Sequence, residues 1–171
     1  MTVLAITVLG HDRPGIIAGA TGALAELGLN IEDTTMTLLR GHFAMMLITR
    51  GSAEPATVEE SLEPLTRDGS LSVSVRQLPD EERAGGGSSY LLSVHGGDRP
   101  RIVSTLVGEV ARAGGNITDL TTRLSGDLYV LLAEVDLPVD ADVEAVRTAL
   151  TRAAAELGVE VSLRELESDD L

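Results

Sequence analysis

The sequence predicts an α+β protein made of two consecutive βαββαβ units. Three observations indicate this: a motif that recurs in one register, the same order of helical and strand periodicities in both halves, and a glycine- and serine-rich stretch between them. The chain has 171 residues, enough for two small domains that each lie near the lower size limit for a self-sufficient core. We expect domains at residues 1–78 and 90–165, a linker at 79–89 and an acidic tail at 166–171.

A repeated segment defines the two halves. Residues 11–16 (HDRPGI) are matched by residues 97–102 (GDRPRI), 86 positions later. The same spacing carries residues 30–33 onto 116–119, and it carries Phe43 onto Tyr129. Because distant positions share one register, the halves are expected to have the same fold.

Each half begins with a strand and a helix. Strands are predicted at residues 3–9 and 90–95. Apolar residues then recur at the three- and four-residue spacing of one buried helical face: Ile16, Ala20, Leu24 and Leu27 in the first half, and Ile102, Leu106, Val110 and Ala113 in the second. We expect Pro14 and Pro100 in the first helical turn, and Gly28 and Gly114 in left-handed caps at the helix ends.

A hairpin follows in each half. Its strands are predicted at residues 31–39 and 42–49, and again at 117–124 and 128–135. Gly41 and Gly126 are only 85 positions apart, so we expect a one-residue slip between the two hairpin turns.

A second helix and a closing strand complete each half. In the second half, Asp140 or Asp142 is expected to cap that helix. In the first half, Pro64 should kink or shorten it. Closing strands are predicted at 71–75 and 159–163. Two helices against one face of an antiparallel sheet in this order form the ferredoxin-like arrangement, which by itself names no function.

Composition excludes several classes of function. The chain carries 27 acidic and 13 basic residues, a formal net charge of -14, which repels nucleic acid and anionic membranes. It has one Phe, two Tyr and no Trp, too few aromatic residues for base stacking. With no cysteine, it has no disulfide, thiolate nucleophile or cysteine metal site, a composition that fits a cytoplasmic protein.

The loop before the first helix of each half carries the strongest functional signal, because Asp, Arg and Pro recur there unchanged. A helix amino terminus offers unpaired N–H groups and a partial positive charge, which favour a carboxylate. Gly15 permits close approach to that backbone. A carboxylate held there, with a carbonyl or the Asn30 side chain accepting from an ammonium, would form a site for a free amino acid.

The repeated segments at residues 11–16 and 97–102 resemble the signature of ACT domains. Each is followed by a second part of that signature, Gly-Leu-Asn-Ile at 28–31 and Gly-Gly-Asn-Ile at 114–117. The resemblance covers nearly the whole chain. A pair of such units without a catalytic domain is similar to the glycine-cleavage-system repressor type, which acts through a partner protein. The resemblance implies that a small amino acid such as glycine or serine binds where two ACT units meet. It also implies a homodimer and a regulatory protein partner, with no cofactor, metal or direct nucleic acid contact.

By this resemblance the candidate ligand-binding residues are His11, Asp12, Arg13, Pro14, Gly15, Ile16, Asn30 and Ile31 in the first half, and Gly97, Asp98, Arg99, Arg101, Ile102, Asn116 and Ile117 in the second. Arg101 replaces the glycine of the first half, where it either narrows the approach or pairs with a carboxylate. The first loop is therefore expected to be the better formed.

Plainer interpretations of these residues remain open. Asp12 and Asp98 are equally suited to capping the following helix. Arg13 and Arg99 are typical of exposed residues or of partners for acidic neighbours, and the two asparagines are typical of left-handed turns. The three histidines do not recur at matching positions, which favours incidental roles over metal binding.

Three functions are distinguished on these grounds. The leading hypothesis is a regulatory amino-acid-binding protein that controls a partner protein or transcription indirectly. The alternative is a dimerisation or docking adaptor without a ligand. An enzyme is disfavoured because the sequence contains no nucleophile–base pair, phosphate-binding glycine loop or metal cluster.

Overall fold

The computed structural model describes residues 1–79 and 87–166, which fall in two compact units on either side of the segment 80–86. Most of the expected linker and residues 167–171 of the expected acidic tail lie outside the described residues. Each unit is a βαββαβ fold, as the repeat predicts. The elements of unit 1 are β1 (Thr2–His11), α1 (Ile16–Glu26), β2 (Asn30–Leu39), β3 (His42–Gly51), α2 (Pro55–Thr66) and β4 (Leu71–Leu78). Those of unit 2 are β5 (Gly87–Gly97), α3 (Ile102–Arg112), β6 (Asn116–Ser125), β7 (Leu128–Pro138), α4 (Val143–Leu157) and β8 (Val159–Glu165).

The two sheets have the same topology. Unit 1 has the strand order β2-β3-β1-β4 and unit 2 the order β6-β7-β5-β8, and the pairings are antiparallel. The helices cover one face of each sheet. Alternate residues of β1, such as Leu4, Ile6 and Val8, point to that face and are fully buried. They pack with Ile16, Ala20 and Leu24 of α1, so the predicted helical face is confirmed.

The first helix of each unit ends as predicted but begins later. Gly28 (φ 69°) and Gly114 (φ 74°) adopt left-handed conformations just past the helix ends. In unit 1 the amides of Gly28 and Leu29 donate to Ala25 and Leu24, each at 3.0 Å, which is the Schellman geometry.

The expectation that Pro14 and Pro100 lie in the first helical turn is wrong. The helices begin at Ile16 and Ile102. Gly15 (φ 91°) and Arg101 (φ 72°) immediately before them are left-handed, which separates each proline from the right-handed helix.

The hairpins contain no slip, which corrects another expectation. Leu39 pairs with His42, and Ser125 pairs with Leu128, so each hairpin has a two-residue loop and the spacing of 86 continues through it. In unit 1, Arg40 (φ 50°) and Gly41 (φ 82°) both have positive φ, as a type I′ turn requires. In unit 2 the glycine takes the first loop position, Gly126, and this explains the one-residue difference between the glycines.

The second helices differ in length as Pro64 predicts. Helix α2 has 12 residues, with Pro55 at its start and Pro64 inside its last turns, whereas α4 has 15. Of the two capping candidates, Asp142 is the N-cap, and its carboxylate accepts a 3.0 Å hydrogen bond from the amide of Ala145.

Strand β5 begins at Gly87, three residues earlier than expected, so residues 87–89 of the expected linker belong to the second sheet. The Ser89 hydroxyl donates to Asp136 of β7 at 2.6 Å, and the Ser89 carbonyl accepts from the amide of Leu166 at 2.8 Å. These two bonds give the serine-rich stretch strand partners that its composition did not reveal.

Candidate functional site

The β1–α1 loop of unit 1 is fixed by close backbone contacts. Gly10 (φ 153°) lies so near β4 that a Cβ atom there would be 2.1 Å from the Ser70 carbonyl oxygen, so only glycine fits. The amide of His11 donates to the same Ser70 carbonyl at 2.9 Å, and the amide of Asp12 donates to Gly41 in the hairpin turn, also at 2.9 Å. The loop is therefore held between β4 and the β2–β3 turn.

The amino termini of α1 and α3 are not capped by a side chain. The N-cap residues are Gly15 and Arg101, and neither makes a side-chain capping bond. Their carbonyl oxygens accept the first helical hydrogen bonds, from the amides of Gly19 and Thr105 at 2.8 and 3.0 Å. The alternative that Asp12 and Asp98 cap these helices is wrong, because both lie several residues before the first helical turn. The first amides of each helix thus remain available to an anion.

The two N-cap positions differ in their surroundings. A Cβ atom added at Gly15 would meet no other atom within 4 Å, so the backbone of this loop is open. Arg101 adopts the same left-handed conformation with a side chain attached. Ile16 and Ile102, which follow, are each 2% exposed; they belong to the cores and offer only their backbone amides to a ligand.

Arg13 is engaged inside its own unit. Its guanidinium donates to the Leu65 carbonyl at 2.8 Å, to Asp68 at 3.1 Å and to the Ser70 hydroxyl. Leu65 lies in the last turn of α2, where a cation also interacts favourably with the helix dipole. The structure confirms the interpretation that Arg13 pairs with an acidic neighbour, which is Asp68.

The turn at residues 68–70 holds the Arg13 side chain, and no sequence motif identified it. The amide and hydroxyl of Ser70 donate to Asp68 at 2.9 and 2.7 Å. These bonds, the side-chain one first, together with the nearby Arg13 charge hold the pKa of Asp68 below its ordinary value. Asp-Gly-Ser at 68–70 is a recognisable turn signal, but nothing local links it to position 13.

The equivalent arginine of unit 2 has a different environment. Gly158 occupies the position of Ser70, since Gly10 pairs with Leu71 and Gly96 with Val159. The guanidinium of Arg99 lies 3.5 to 3.7 Å from the point where Gly158 would carry a Cβ atom. It therefore packs over the left-handed carboxyl end of α4 in the space that glycine leaves.

The asparagines lie far from the loop of their own unit. Asn30 pairs with Arg50, which pairs with Val3 at the start of β1, whereas His11 is at the other end of β1. Eight residues of strand separate these ends, about 26 Å at roughly 3.3 Å per residue. Unit 2 repeats this separation, because Asn116 pairs with Asp136, opposite Ser89. The sequence-predicted residues therefore form two groups at opposite ends of each sheet.

The asparagines are not turn residues. Among the described non-glycine residues only Arg40 and Arg101 have positive φ, so the left-handed alternative for Asn30 and Asn116 is wrong. Both are exposed residues that begin an edge strand. A β-bulge follows each of them, between Ile31 and Asp33 and between Ile117 and Asp119.

The histidines do not assemble into a metal site in residues 1–79 and 87–166, where no group of three His, Cys, Asp or Glu has suitable geometry. His11 and His42 lie opposite each other on β1 and β3, a pairing that their sequence positions did not suggest. His95 lies 2.9 Å from Glu160 on β8. No helix in the described ranges is long and apolar enough to cross a membrane.

Fold and loops together define a class: a tandem of ferredoxin-like βαββαβ modules, each with an uncapped helix terminus after a glycine-restricted strand end. The ACT-domain family model matches residues 2–76 and 89–164, nearly the full length of both modules. The chain belongs to the ACT-domain family.

Comparison with known proteins gives relatives of both the whole chain and one unit. The glycine cleavage system transcriptional repressor of Escherichia coli is 26% identical over 167 residues, covering 94% of this chain and 88% of the repressor. The protein MK1213 of Methanopyrus kandleri is 44% identical over 69 residues, 40% of this chain and 77% of that protein.

Among solved structures, a protein from Galdieria sulphuraria described as unknown superposes with a TM-score of 0.83 at 28% identity, covering 96% of this chain and 98% of its own. The chain is thus a tandem ACT-domain protein similar to the glycine-cleavage-system repressor type.

Proposed function

We propose that this protein is a regulatory amino-acid sensor and not an enzyme. It binds a small amino acid such as glycine or serine between ACT units. Through this binding it controls a partner protein or transcription indirectly. The observation that supports it best is the pair of uncapped helix termini, of which the one in unit 1 follows a loop that is held by backbone hydrogen bonds and open at Gly15. These amides offer a carboxylate several hydrogen bonds and the positive end of a helix dipole.

The separation of the asparagines from the loops favours a site completed by a second unit. A free amino acid is only a few ångströms long, so it cannot span the roughly 26 Å between Asn30 and His11, eight strand residues apart. A loop of one unit with the asparagine-bearing strand end of another provides carboxylate and ammonium partners together. Ligand binding is then linked to association of the units.

The two units contribute unequally to this proposal. Asn30 lies opposite Arg50, which is paired with Glu32 at 2.7 Å, and Asn116 lies opposite Asp136, which accepts a hydrogen bond from Ser89 at 2.6 Å. The loop of unit 1 is the open one. We therefore expect the Gly15 loop to hold the carboxylate of a ligand better than the Arg101 loop.

Isothermal titration calorimetry against the twenty amino acids tests the sensor proposal, with heat expected for glycine, serine or a similarly small ligand. Gly15→Arg copies the loop of unit 2 and should weaken binding at least tenfold, whereas Arg101→Gly should not. Asn30→Ala and Asn116→Ala should each weaken binding if the asparagines contact the ligand. No heat with any amino acid at millimolar concentration, together with unchanged assembly of Gly15→Arg, would favour the ligand-free adaptor.

Control of a partner is a separate step of the proposal. Its support is the relationship to a transcriptional repressor of the glycine cleavage system. Affinity purification of the tagged chain with and without the amino acid found by calorimetry should recover a protein whose yield depends on that ligand. DNA binding by the chain alone is not expected, because the net charge of -14 repels phosphates.

A further inference from the structure

The loop before α1 is anchored in two parts. The backbone amides of His11 and Asp12 hold its first part, because they donate at 2.9 Å to carbonyl oxygens of the α2–β4 turn (residues 67–70) and of the hairpin turn. The second part, residues 13–15, leads directly to the open helix terminus. In the residues that the structure describes, this part makes its hydrogen bonds to other elements through the side chain of Arg13 alone. The course of the backbone into α1 therefore depends on where this guanidinium is held.

The acceptors of the Arg13 guanidinium are themselves held in place. They are the Leu65 carbonyl at 2.8 Å, the Asp68 carboxylate at 3.1 Å and the Ser70 hydroxyl. The Asp68 carboxylate accepts from the amide and the hydroxyl of Ser70 at 2.9 and 2.7 Å. Only 32% of the Arg13 side chain is exposed. Because the acceptors come from both α2 and the turn that follows it, they fix the direction of the guanidinium and with it the loop.

Unit 2 contains the same arginine without these acceptors. Gly158 lies at the position of Ser70, so the hydroxyl is missing there. Within residues 87–166 the Arg99 side chain makes no hydrogen bond or ion pair, and it lies 3.5 to 3.7 Å from the point where Gly158 would carry a Cβ atom. The two loops thus differ in how firmly the residue after their aspartate is held.

We propose that Arg13 is a positioning residue, which holds the loop of unit 1 so that the first amides of α1 are aligned for the carboxylate of an amino acid. It acts through the loop and does not contact the ligand, since its guanidinium is directed at the α2–β4 turn. This inference rests on the proposed function. It adds that Leu65, Asp68 and Ser70, which lie 52 to 57 positions away in the sequence, control the affinity of the site.

Alignment of these amides matters because several N–H groups bind one anion well only when they point toward the same place. A mobile loop has to be ordered as the ligand binds, and this loss of conformational entropy lowers the affinity. The contacts of Arg13 order residues 13–15 in the ligand-free protein. Since unit 2 has no such contacts, its loop should bind an amino acid more weakly.

Isothermal titration calorimetry of the full chain with glycine, and separately with serine, tests the positioning role. Arg13→Gln should weaken binding about tenfold, because the loop loses its anchor. Asp68→Ala should also weaken binding, although it leaves the guanidinium without its carboxylate. A guanidinium that contacted the ligand would instead bind it more tightly once Asp68 is removed. The sign of the Asp68→Ala effect therefore separates positioning from direct contact.

A rescue variant and a control complete the titrations. Arg13→Lys should recover part of the affinity, because its ammonium can still reach one of the acceptors. The matched control is Arg67→Gln, which removes the same charge from an exposed side chain of the α2–β4 turn that makes no hydrogen bond or ion pair among the described residues. It should leave binding unchanged. Unchanged affinity in Arg13→Gln, or tighter binding by Asp68→Ala, would overturn the proposal.

Proton–nitrogen NMR spectra of the ligand-free protein give a second measurement, which does not depend on the proposed function. The amide signals of Ile16 and Ile17 should shift or broaden in Arg13→Gln but not in Arg67→Gln. Unchanged signals from β3 show in the same spectrum that unit 1 is folded. If the unmodified protein gives no heat with any amino acid, the proposed function is wrong. If the Ile16 and Ile17 signals are unchanged in Arg13→Gln, the positioning role itself is wrong.

Discussion

The guanidinium of Arg13 donates a 2.8 Å hydrogen bond to the carbonyl oxygen of Leu65, which ties the loop before α1 to the last turn of α2. The same arginine contacts the α2–β4 turn through Asp68 and Ser70. Position 13 thus connects the candidate ligand loop with the second helix and the closing strand of its unit.

Arg13→Gln is expected to destabilise unit 1 by about 1–2 kcal/mol, because the Leu65 carbonyl loses a charged donor near a helix carboxyl end. The exposed ion pair with Asp68 contributes little of this. Urea unfolding of the full chain measures the change. The control, Arg99→Gln, should have less effect, since Arg99 packs over Gly158. Equal losses in both variants would contradict this assignment.

Thr49→Val should stabilise unit 1 by about 1–2 kcal/mol. Thr49 is fully buried, and among the described residues its hydroxyl is the buried side-chain group without a hydrogen-bond partner, which carries a desolvation cost. Unit 2 has Val135 at the equivalent position, also fully buried. The reciprocal change, Val135→Thr, should destabilise by a similar amount. Thermal unfolding of both variants checks the pair, and a destabilised Thr49→Val protein would show the prediction to be wrong.

Arg101→Gly should stabilise unit 2 by about 0.5–1 kcal/mol, because a side chain at φ 72° carries strain that glycine lacks. The gain is partly offset by the larger backbone entropy of glycine in the unfolded chain. Gly15→Ala at φ 91° should have the opposite sign. Chemical unfolding of the two variants measures both effects, and loss of stability in each would count against left-handed strain at position 101.

Ser70→Ala should raise the pKa of Asp68 toward its ordinary value near 3.9, since the Ser70 hydroxyl is the main cause of the depression. Because the pKa of Asp68 is lower in the folded than in the unfolded protein, its ionised carboxylate stabilises the fold at pH values above the unfolded-state pKa. That stability is lost as the pH falls through the folded-state pKa. The variant should therefore lose less stability on acidification below about pH 4. Carboxyl NMR titration gives the pKa, and Ser72→Ala, which contacts Leu9 instead, should leave it unchanged.

Most of the fold could be predicted because periodicity and repetition carry it. The buried positions of α1 and α3, the caps at Gly28 and Gly114, and the hairpin strands all follow from local pattern. Pro14 was misplaced because a proline fits equally well before a left-handed residue and inside a first helical turn.

The site could be predicted only as a set of residues, not as an arrangement. Sequence spacing does not show that Asn30 and His11 lie at opposite ends of β1 and its neighbours, since this depends on strand order. The bond from Arg13 to Leu65 spans 52 positions, and Arg147 donates to the Leu163 carbonyl in β8, which no motif marks. Both are tertiary contacts without a local signal.

The β-bulges at Ile31/Asp33 and Ile117/Asp119 occupy the same place in both units, although the extra residues, Glu32 and Thr118, are chemically unlike. An irregularity shared at one register across dissimilar side chains points to a common ancestor: the single module had this bulge before it was duplicated. Divergence has since changed the residue at the N-cap from Gly15 to Arg101, while this departure from regular pairing is kept in both units.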